Sequence, residues 1–204
     1  MAFVNRPRGA YAKTAGRRAE IIDATVAVFA ESGFHGGTIR DIAERVGISQ
    51  AGLLHHFAGK EALLEAVLTH RDELARDRLG PEMPTGLALL EGFVDLMTYN
   101  ATTPGLVALY AVLSGEGTAP EHPGHLYFRD RYSWVQELLE QAVLEGRRRG
   151  ELRADVDPTT VARTVIALCD GLQLLWLYGD GSFDMAGPVR SYLDTLLPPC
   201  EPRE

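Results

Sequence analysis

Side chains that can donate and accept hydrogen bonds cluster in one short stretch of the 204-residue chain. Ser49, Gln50 and His55 lie within about two helical turns of one another, just after Gly47. The amide of a glutamine carries both an acceptor and donors, which match the N6/N7 edge of an adenine. A solvated glutamine is the simpler alternative, so the surrounding elements decide between the two interpretations.

Motifs for catalysis or cofactor binding are missing from the sequence. It contains no GxGxxG, GxSxG, HExxH or CxxC pattern. Cys169 and Cys200 make neither a disulfide framework nor a common zinc spacing. Neighbouring helical residues point about 100° apart, which disfavours a metal shared by two adjacent histidines. We expect no enzyme, metal or cofactor, and a Cys–His–Asp constellation around Cys169 is the alternative left open.

Almost every segment predicts an α-helix, because strand-like alternation is missing and the Gly/Pro clusters fall between helical stretches. The predicted fold class is therefore all-α, with about nine helices. They lie near 17–32, 39–46, 49–56, 60–79, 85–102, 105–114, 125–149, 158–178 and 185–197.

The first three helices have the pattern of a helix-turn-helix module. Thr38 can cap the second helix, with Asp41 three residues on in a variant of the capping box. Gly47 suits the tight turn, and Ser49 can cap the third helix. In such modules the start of that last helix enters the major groove of DNA.

The segment from about Arg17 to Leu64 resembles the TetR family of transcriptional regulators. The matching residues are Phe29, Gly33, Phe34, Thr38, Ile42, Ala43, Gly47, Ile48, Ser49, Leu53, His56, Phe57, Lys60 and Glu61. The family usually has a phosphate-binding tyrosine where this chain has Leu54, and the neighbouring His55 is the alternative donor. The DNA contacts expected from the motif and the resemblance are Thr38, Arg40, Ser49, Gln50, Ala51, Gly52, Leu54, His55, His56 and Lys60.

The charge distribution fits a DNA-binding N-terminal part, although the net charge of the whole chain is −8. Residues 1–60 contain eight Lys/Arg and five Asp/Glu, a net of +3; residues 61–204 contain twelve and twenty-three, a net of −11. Phosphate binding depends on local positive charge, although a solvated basic arm is the alternative. We predict an arm and helix-turn-helix domain over 1–60, and a linker helix with a ligand-binding and dimerisation domain over 61–204.

The second part offers candidates for a ligand cavity. Residues 167–176 resemble the BetI-type branch of the family, and residues 150–158 support this. Aromatic side chains in a helical bundle either form the core or line a cavity. Asp170 lies among apolar residues, so it either pairs with a neighbouring helix or meets a cationic or hydroxylated ligand. The candidate ligand residues are Tyr99, Tyr110, Tyr132, Trp134, Asp170 and Trp176.

Together, these features imply a ligand-responsive regulator, most simply a repressor that binds a palindromic double-stranded operator as a homodimer. An unidentified small-molecule effector would release it, with the 60–79 helix as the lever between the domains. An activator and a ligand-independent DNA-binding protein are the alternatives. No apolar run approaches the ~18 residues of a membrane span, so we expect a cytoplasmic protein. The apolar positions expected to support dimerisation are Val161, Val165, Leu168, Leu175, Val189, Tyr192, Leu193 and Leu196.

Overall fold

Nine α-helices account for all the regular structure in the computed structural model, which describes residues 9–80, 82–179 and 181–199. The predicted all-α fold and number of helices are therefore confirmed. The helices are α1 (Gly9–Gly36), α2 (Ile39–Val46), α3 (Gln50–His56), α4 (Lys60–Leu79), α5 (Leu87–Asn100), α6 (Pro104–Glu116), α7 (His125–Arg149), α8 (Pro158–Tyr178) and α9 (Ala186–Asp194).

The ends of several helices follow from caps visible in the sequence. The Thr38 hydroxyl accepts the Asp41 N–H at 3.1 Å, and an Asp41 carboxylate oxygen accepts the Thr38 N–H at 3.1 Å, a complete capping box. Gly47 ends α2 in the left-handed conformation (φ 73°, ψ 36°). Ser49 then caps α3 by accepting the Gly52 N–H at 3.0 Å.

α1 differs from its prediction at both ends. It begins at Gly9 rather than near residue 17, so residues 9–16 of the predicted arm are helical, while residues 1–8 lie outside the described part. At its other end the chain does not stop at Gly33. It kinks there, with φ 69° and ψ 179°, and the helix resumes to Gly36. Glycine adopts this conformation without the steric cost that a Cβ would add.

The hydrophobic core has two parts. The first joins α1–α4 to α6 and the start of α7, with Ile21, Phe29, Ile42 and Leu53 fully buried. The second lies between α5, α7, α8 and α9. The first half of α4 belongs to the first core, while Leu79 at its end packs against the second. α4 therefore contacts both parts of the protein, and the domain boundary at residue 60 stays a prediction.

α8 carries more apolar side chains than the core of a single chain buries. Among the described helices, it alone is long and apolar enough to cross a membrane, a test that core helices also pass, and only 33% of that stretch is buried. Of the eight apolar positions expected to support dimerisation, five are buried within the chain, Leu168 and Tyr192 are half-buried, and Leu175 is 62% exposed. Leu174 and Tyr178 add to this exposed apolar surface.

Candidate DNA-binding surface and ligand cavity

The first turn of α3 presents most of the predicted base-reading side chains to solvent. Ser49, Gln50 and Ala51 are exposed and Gly52 is half-buried, whereas Leu53 faces the core with no exposed surface. One turn later, Leu54 and His55 are also exposed. The helix thus has one buried side that fixes its position and one free side that could enter a groove.

Two of the predicted contact residues already serve as helix caps. The Thr38 hydroxyl donates to Asp41 at 2.6 Å, so its proton is committed within the capping box. Ser49 uses its oxygen as an acceptor and keeps a hydroxyl proton that it can donate to a phosphate. On the exposed face of α2, the Arg40 guanidinium bonds Glu44 at 2.9 Å. Such a solvent-exposed pair is weak, so Arg40 can exchange it for a phosphate at little cost.

Lys60 and His56 lie where α1, α3 and α4 meet, and both are half-buried. The Lys60 ammonium lies 4.6 Å from the centre of the Phe34 ring and donates to the His35 carbonyl oxygen at 3.3 Å. Burial lowers the pKa of Lys60. The His56 carbonyl oxygen accepts a 2.6 Å hydrogen bond from Arg18. Arg18, which was not among the predicted contacts, therefore fastens the end of α3 to α1.

A cavity of about 440 Å³ lies between α4, α5, α6, α7 and α8. Tyr110, Tyr132, Trp134 and Asp170, four of the six predicted ligand residues, line it. Tyr99 and Trp176 lie elsewhere. The Tyr99 ring is covered by the Arg78 guanidinium at 3.9 Å, and Trp176 is buried in the second core.

One end of the cavity is strongly polar. The Asp72 carboxylate accepts from Arg131 through one oxygen and from the Tyr127 hydroxyl, at 2.7 Å, through the other. The Arg71 guanidinium carbon lies 3.6 Å from the centre of the Tyr110 ring, a cation–π contact. These groups come from three helices, since Arg71 and Asp72 are on α4, Tyr110 on α6 and Arg131 on α7.

Asp170 pairs with a neighbouring helix, which was one of its two predicted roles. The Tyr132 hydroxyl of α7 donates to its carboxylate at 2.7 Å. Burial raises the pKa of Asp170, and it also raises the pKa of Tyr132, which keeps that phenol protonated. The adjacent Cys169 lines the same wall, and burial raises the pKa of its thiol to about 12.

The sequence analysis did not predict that Arg71 and Arg131 line the cavity. Arg71 lies in the polar run 70–73 and Arg131 in the run 129–131, and both runs have the composition of a solvated helix face. A signal did exist, because Arg71 follows Val67 by one helical turn and Arg131 follows Phe128 by about one turn. Both charges therefore lie in phase with buried apolar residues.

Among the described residues, the adjacent histidines His55 and His56 belong to no metal-binding group. In the part of the chain that the structure describes, no group of three His, Cys, Asp or Glu side chains could hold an ion. His55 and His56 remain adjacent on α3 with their ring centres 5.6 Å apart. His122 is buried, and its Nδ1 accepts the Gly124 N–H at 3.0 Å.

Comparison with known proteins decides the family. Residues 21–67 match the family model described as bacterial regulatory proteins of the tetR family, and residues 126–198 match the C-terminal model of BetI-type transcriptional repressors. The chain is 32% identical over 154 residues to the transcriptional repressor AcnR of Corynebacterium diphtheriae, an alignment covering 74% of this chain and 75% of AcnR. The chain belongs to the TetR family.

Other relatives of this TetR-family regulator span nearly its whole length. It is 28% identical over 192 residues to the repressor KstR2 of Rhodococcus jostii, covering 89% of this chain and 90% of that protein. The solved structure of Salmonella enterica GusR superposes with a TM-score of 0.69 at 26% identity, covering 89% of this chain and 95% of GusR. Proteins of this family bind DNA and small-molecule effectors and act as dimers, and its members are regulators rather than enzymes.

Proposed function

We propose that this protein is a repressor that binds a palindromic operator as a homodimer and is released when a small molecule enters the cavity between α4 and α8. The observation that carries the proposal is the course of α4. Its first half packs in the core that holds the helix-turn-helix, through residues such as Leu63 and Val67, and its second half lines the cavity from Arg71 to Leu79. One continuous helix therefore contacts both the DNA-binding module and the effector cavity.

DNA recognition is assigned to the exposed side of α2 and α3. Gln50 is proposed to read a base edge, because its amide extends from the first turn of a helix whose opposite side is buried. Arg40, Ser49 and His55 are proposed to contact phosphates and fix the register of the protein on the duplex. Leu54 and Ala51 offer only apolar contact, for which a thymine methyl group is the matching partner.

Coupling between the two parts has a second route through α6. Tyr110 lines the cavity, and Glu116 at the end of the same helix accepts the Phe34 N–H at 2.7 Å. Its carboxylate lies directly against Gly33, where a Cβ would clash with the nearer oxygen. Glu116 therefore holds the kink of α1 just before α2. A displacement of α6 by a ligand would be transmitted to the start of α2.

The energetic demand on the effector is modest. A ligand releases DNA only through its different affinities for the DNA-binding and released conformations. A hundredfold preference for the released conformation supplies about 2.7 kcal/mol, within the usual range of coupling energies. In the released conformation the two recognition helices would no longer match successive major grooves, which lie about 34–36 Å apart.

The proposal is tested with the purified full chain. Sequences selected from a random DNA pool should be palindromic, and small molecules that quench the cavity tryptophan Trp134 should lower affinity for the selected operator in parallel. Ile166→Trp, which fills the cavity from the α8 wall, should keep DNA binding and abolish the response. Trp176, buried outside the cavity, provides the internal fluorescence reference.

The alternatives give different results. A ligand-independent protein would bind the selected DNA and respond to nothing that binds the cavity. An activator would raise transcription from the neighbouring promoter in a purified transcription assay, whereas a repressor lowers it. A molecule that binds at Trp134 tightly and leaves operator affinity unchanged contradicts the mechanism for that molecule.

A further inference from the structure

Hydrogen-bond donors outnumber acceptors at the polar end of the cavity. Both oxygens of Asp72 are occupied, one by Arg131 and the other by the Tyr127 hydroxyl. The nearest Arg71 nitrogen lies 3.6 Å from the first of these oxygens, close enough for charge attraction but too far for a hydrogen bond. Within the described residues, this Nη1 of Arg71 and the Nε of Arg131 are buried without a hydrogen-bond partner.

An unpaired buried guanidinium is energetically unfavourable. The Arg71 and Arg131 side chains are only 12% and 13% exposed. Arginine keeps its proton in proteins, so neither side chain relieves the penalty by becoming neutral, although burial lowers the pKa of Arg71. The stack of Arg71 on Tyr110 offsets part of the desolvation but satisfies no N–H group. The chemical group that this arrangement lacks is an acceptor.

Only one carboxylate is directly paired with the two buried arginines. Asp72 is the only carboxylate within ion-pair distance of Arg71 or Arg131 among the described residues. Asp170 accepts a hydrogen bond from the Tyr132 hydroxyl, attracts both arginines by charge alone, and offers neither of them a hydrogen bond. Two more charged residues of the cavity lining, Arg76 and Asp130, are exposed, and Asp130 is paired with Arg129 at 2.7 Å. Two buried cations therefore share one fully engaged carboxylate.

The remaining wall of the cavity is apolar. It is formed by Leu79, Phe93, Leu96, Met97, Leu138 and Ile166. The cavity volume of about 440 Å³ lies within the range of about 300–1,000 Å³ that small-molecule sites occupy. A molecule that fills it must present an apolar body to this wall and an acceptor group to Arg71.

We infer that the effector is an amphipathic organic oxyanion whose head group pairs with Arg71 and whose apolar body lies against Phe93 and Leu138. Carboxylates, sulfonates and phosphate monoesters share this chemistry, because each presents two oxygens to the forked donors of a guanidinium. The inference rests on the proposed function of the cavity as the effector site. A ligand paired with Arg71 would also contact α4 directly, because Arg71 lies on that helix.

The test compares two fluorescent probes with the same aromatic framework. 8-Anilinonaphthalene-1-sulfonate carries a sulfonate, and N-phenyl-1-naphthylamine is its uncharged counterpart. The full chain should bind the sulfonate at least about tenfold more tightly, the size expected for one charge-assisted hydrogen bond. Equal affinities, or tighter binding of the neutral probe, would overturn the inference.

Variants assign the preference to Arg71. Arg71→Met keeps the length of the side chain and should abolish the preference for the sulfonate, while Arg71→Lys keeps the charge but loses the fork and should retain only part of it. Arg148→Met, which removes an exposed arginine of α7 paired with Glu145 outside the cavity lining, should leave the preference unchanged. If Arg71 were only structural, Arg71→Met would lower the melting temperature and leave the ratio of probe affinities as it was.

Displacement experiments separate the sources of the oxyanion. Decanoate, decyl sulfate and decyl phosphate should each displace the sulfonate probe, and their order identifies the preferred head group. Decyltrimethylammonium and 1-decanol should displace it poorly, and inorganic phosphate alone should not displace it. A cationic or neutral compound that binds the cavity and releases operator DNA would overturn this inference while leaving the proposed function intact.

Discussion

Gln50 lies exposed in the first turn of α3, directly after the serine that caps the helix. We expect Gln50→Ala to cost about 1–3 kcal/mol of binding free energy on the selected operator and much less on random DNA, because only a base contact distinguishes sequences. Fluorescence anisotropy on both duplexes measures the difference.

Arg40→Gln is the contrasting variant. Loss of a phosphate contact should weaken binding to both duplexes and lower the slope of log affinity against log salt concentration by about 0.9. Equal losses for Gln50→Ala on both duplexes would show that it reads no base.

The free energy of unfolding depends on pH through Asp170, and the burial of this carboxyl determines the sign of the dependence. Its folded-state pKa is raised, so its contribution to stability is fully present below the unfolded pKa and is lost as pH rises through the folded pKa. Asp170→Asn can still accept from Tyr132 but carries no charge. We therefore expect this variant to melt at a higher temperature than the wild type at pH 7, with the difference shrinking towards pH 4. A lower melting temperature for the variant at pH 7 would contradict this reading.

The charged residues of the cavity could not be predicted from local sequence patterns, whereas some of its aromatic residues could. Tyr110 and Tyr132 could be proposed because aromatic residues on several helices commonly surround a cavity. Arg71 and Arg131 could not be recognised, since each lies in a run of charges typical of solvated helix faces. Their burial depends on how α4, α6 and α7 pack together, which is a long-range property. A local pattern shows which residues share a helix face, but not which face meets a cavity.

Among the helices, those with strong end signals were predicted most accurately. α2, α4, α7 and α8 have the predicted bounds, and the start of α8 follows from Asp157, whose carboxylate accepts the Thr160 N–H at 2.8 Å. The beginning of α1 was missed because residues 9–16 show no apolar periodicity and contain two glycines. The alanines in this stretch favour helix, and a propensity of that kind gives no boundary signal.

Glu116 links α6 to the kink of α1, so its removal should affect both stability and DNA binding. We expect Glu116→Ala to lower the free energy of unfolding by about 1 kcal/mol, because the Phe34 N–H loses its acceptor. Operator affinity should fall as well, since this contact holds the segment just before α2. Chemical unfolding and anisotropy measure the two effects.

A matched variant is available close by in the chain. Glu121 is an exposed carboxylate in the loop before α7, and Glu121→Ala should change neither quantity. Glu116→Gln, which keeps an acceptor oxygen, should fall between the wild type and Glu116→Ala. If Glu116→Ala lowers stability and leaves operator affinity unchanged, the contact supports the fold without positioning the helix-turn-helix.

At the scale of the whole molecule, the exposed apolar surface of α8 is the expected site of self-association. Leu175 is 62% exposed and Tyr178 is 90% exposed, although both lie on a helix otherwise suited to burial. We expect Leu175→Arg to convert the dimer to a monomer at micromolar concentration, because a cation would be desolvated at the interface. Light scattering coupled to size-exclusion chromatography measures the mass.

The control is a leucine of similar exposure on another helix. Leu126 on α7 is 59% exposed, and Leu126→Arg should leave the dimer intact. Loss of the dimer should also reduce affinity for a palindrome far more than for a single half-site, since a two-fold operator requires both recognition helices. A wild-type chain that is monomeric at micromolar concentration would rule out this arrangement.

The length of α4 determines how large a movement at the cavity must be. Lys60 precedes Arg71 by 11 residues on α4, which corresponds to about 16 Å along the helix axis. A rotation of about 10° around the level of Arg71 would displace the start of the helix by about 3 Å. In a two-fold dimer with opposite displacements, the recognition helices would separate by about 6 Å, a large error against the groove repeat of about 34 Å. A cavity that reshapes itself by little more than the width of an atom would therefore be enough to move the protein off its DNA.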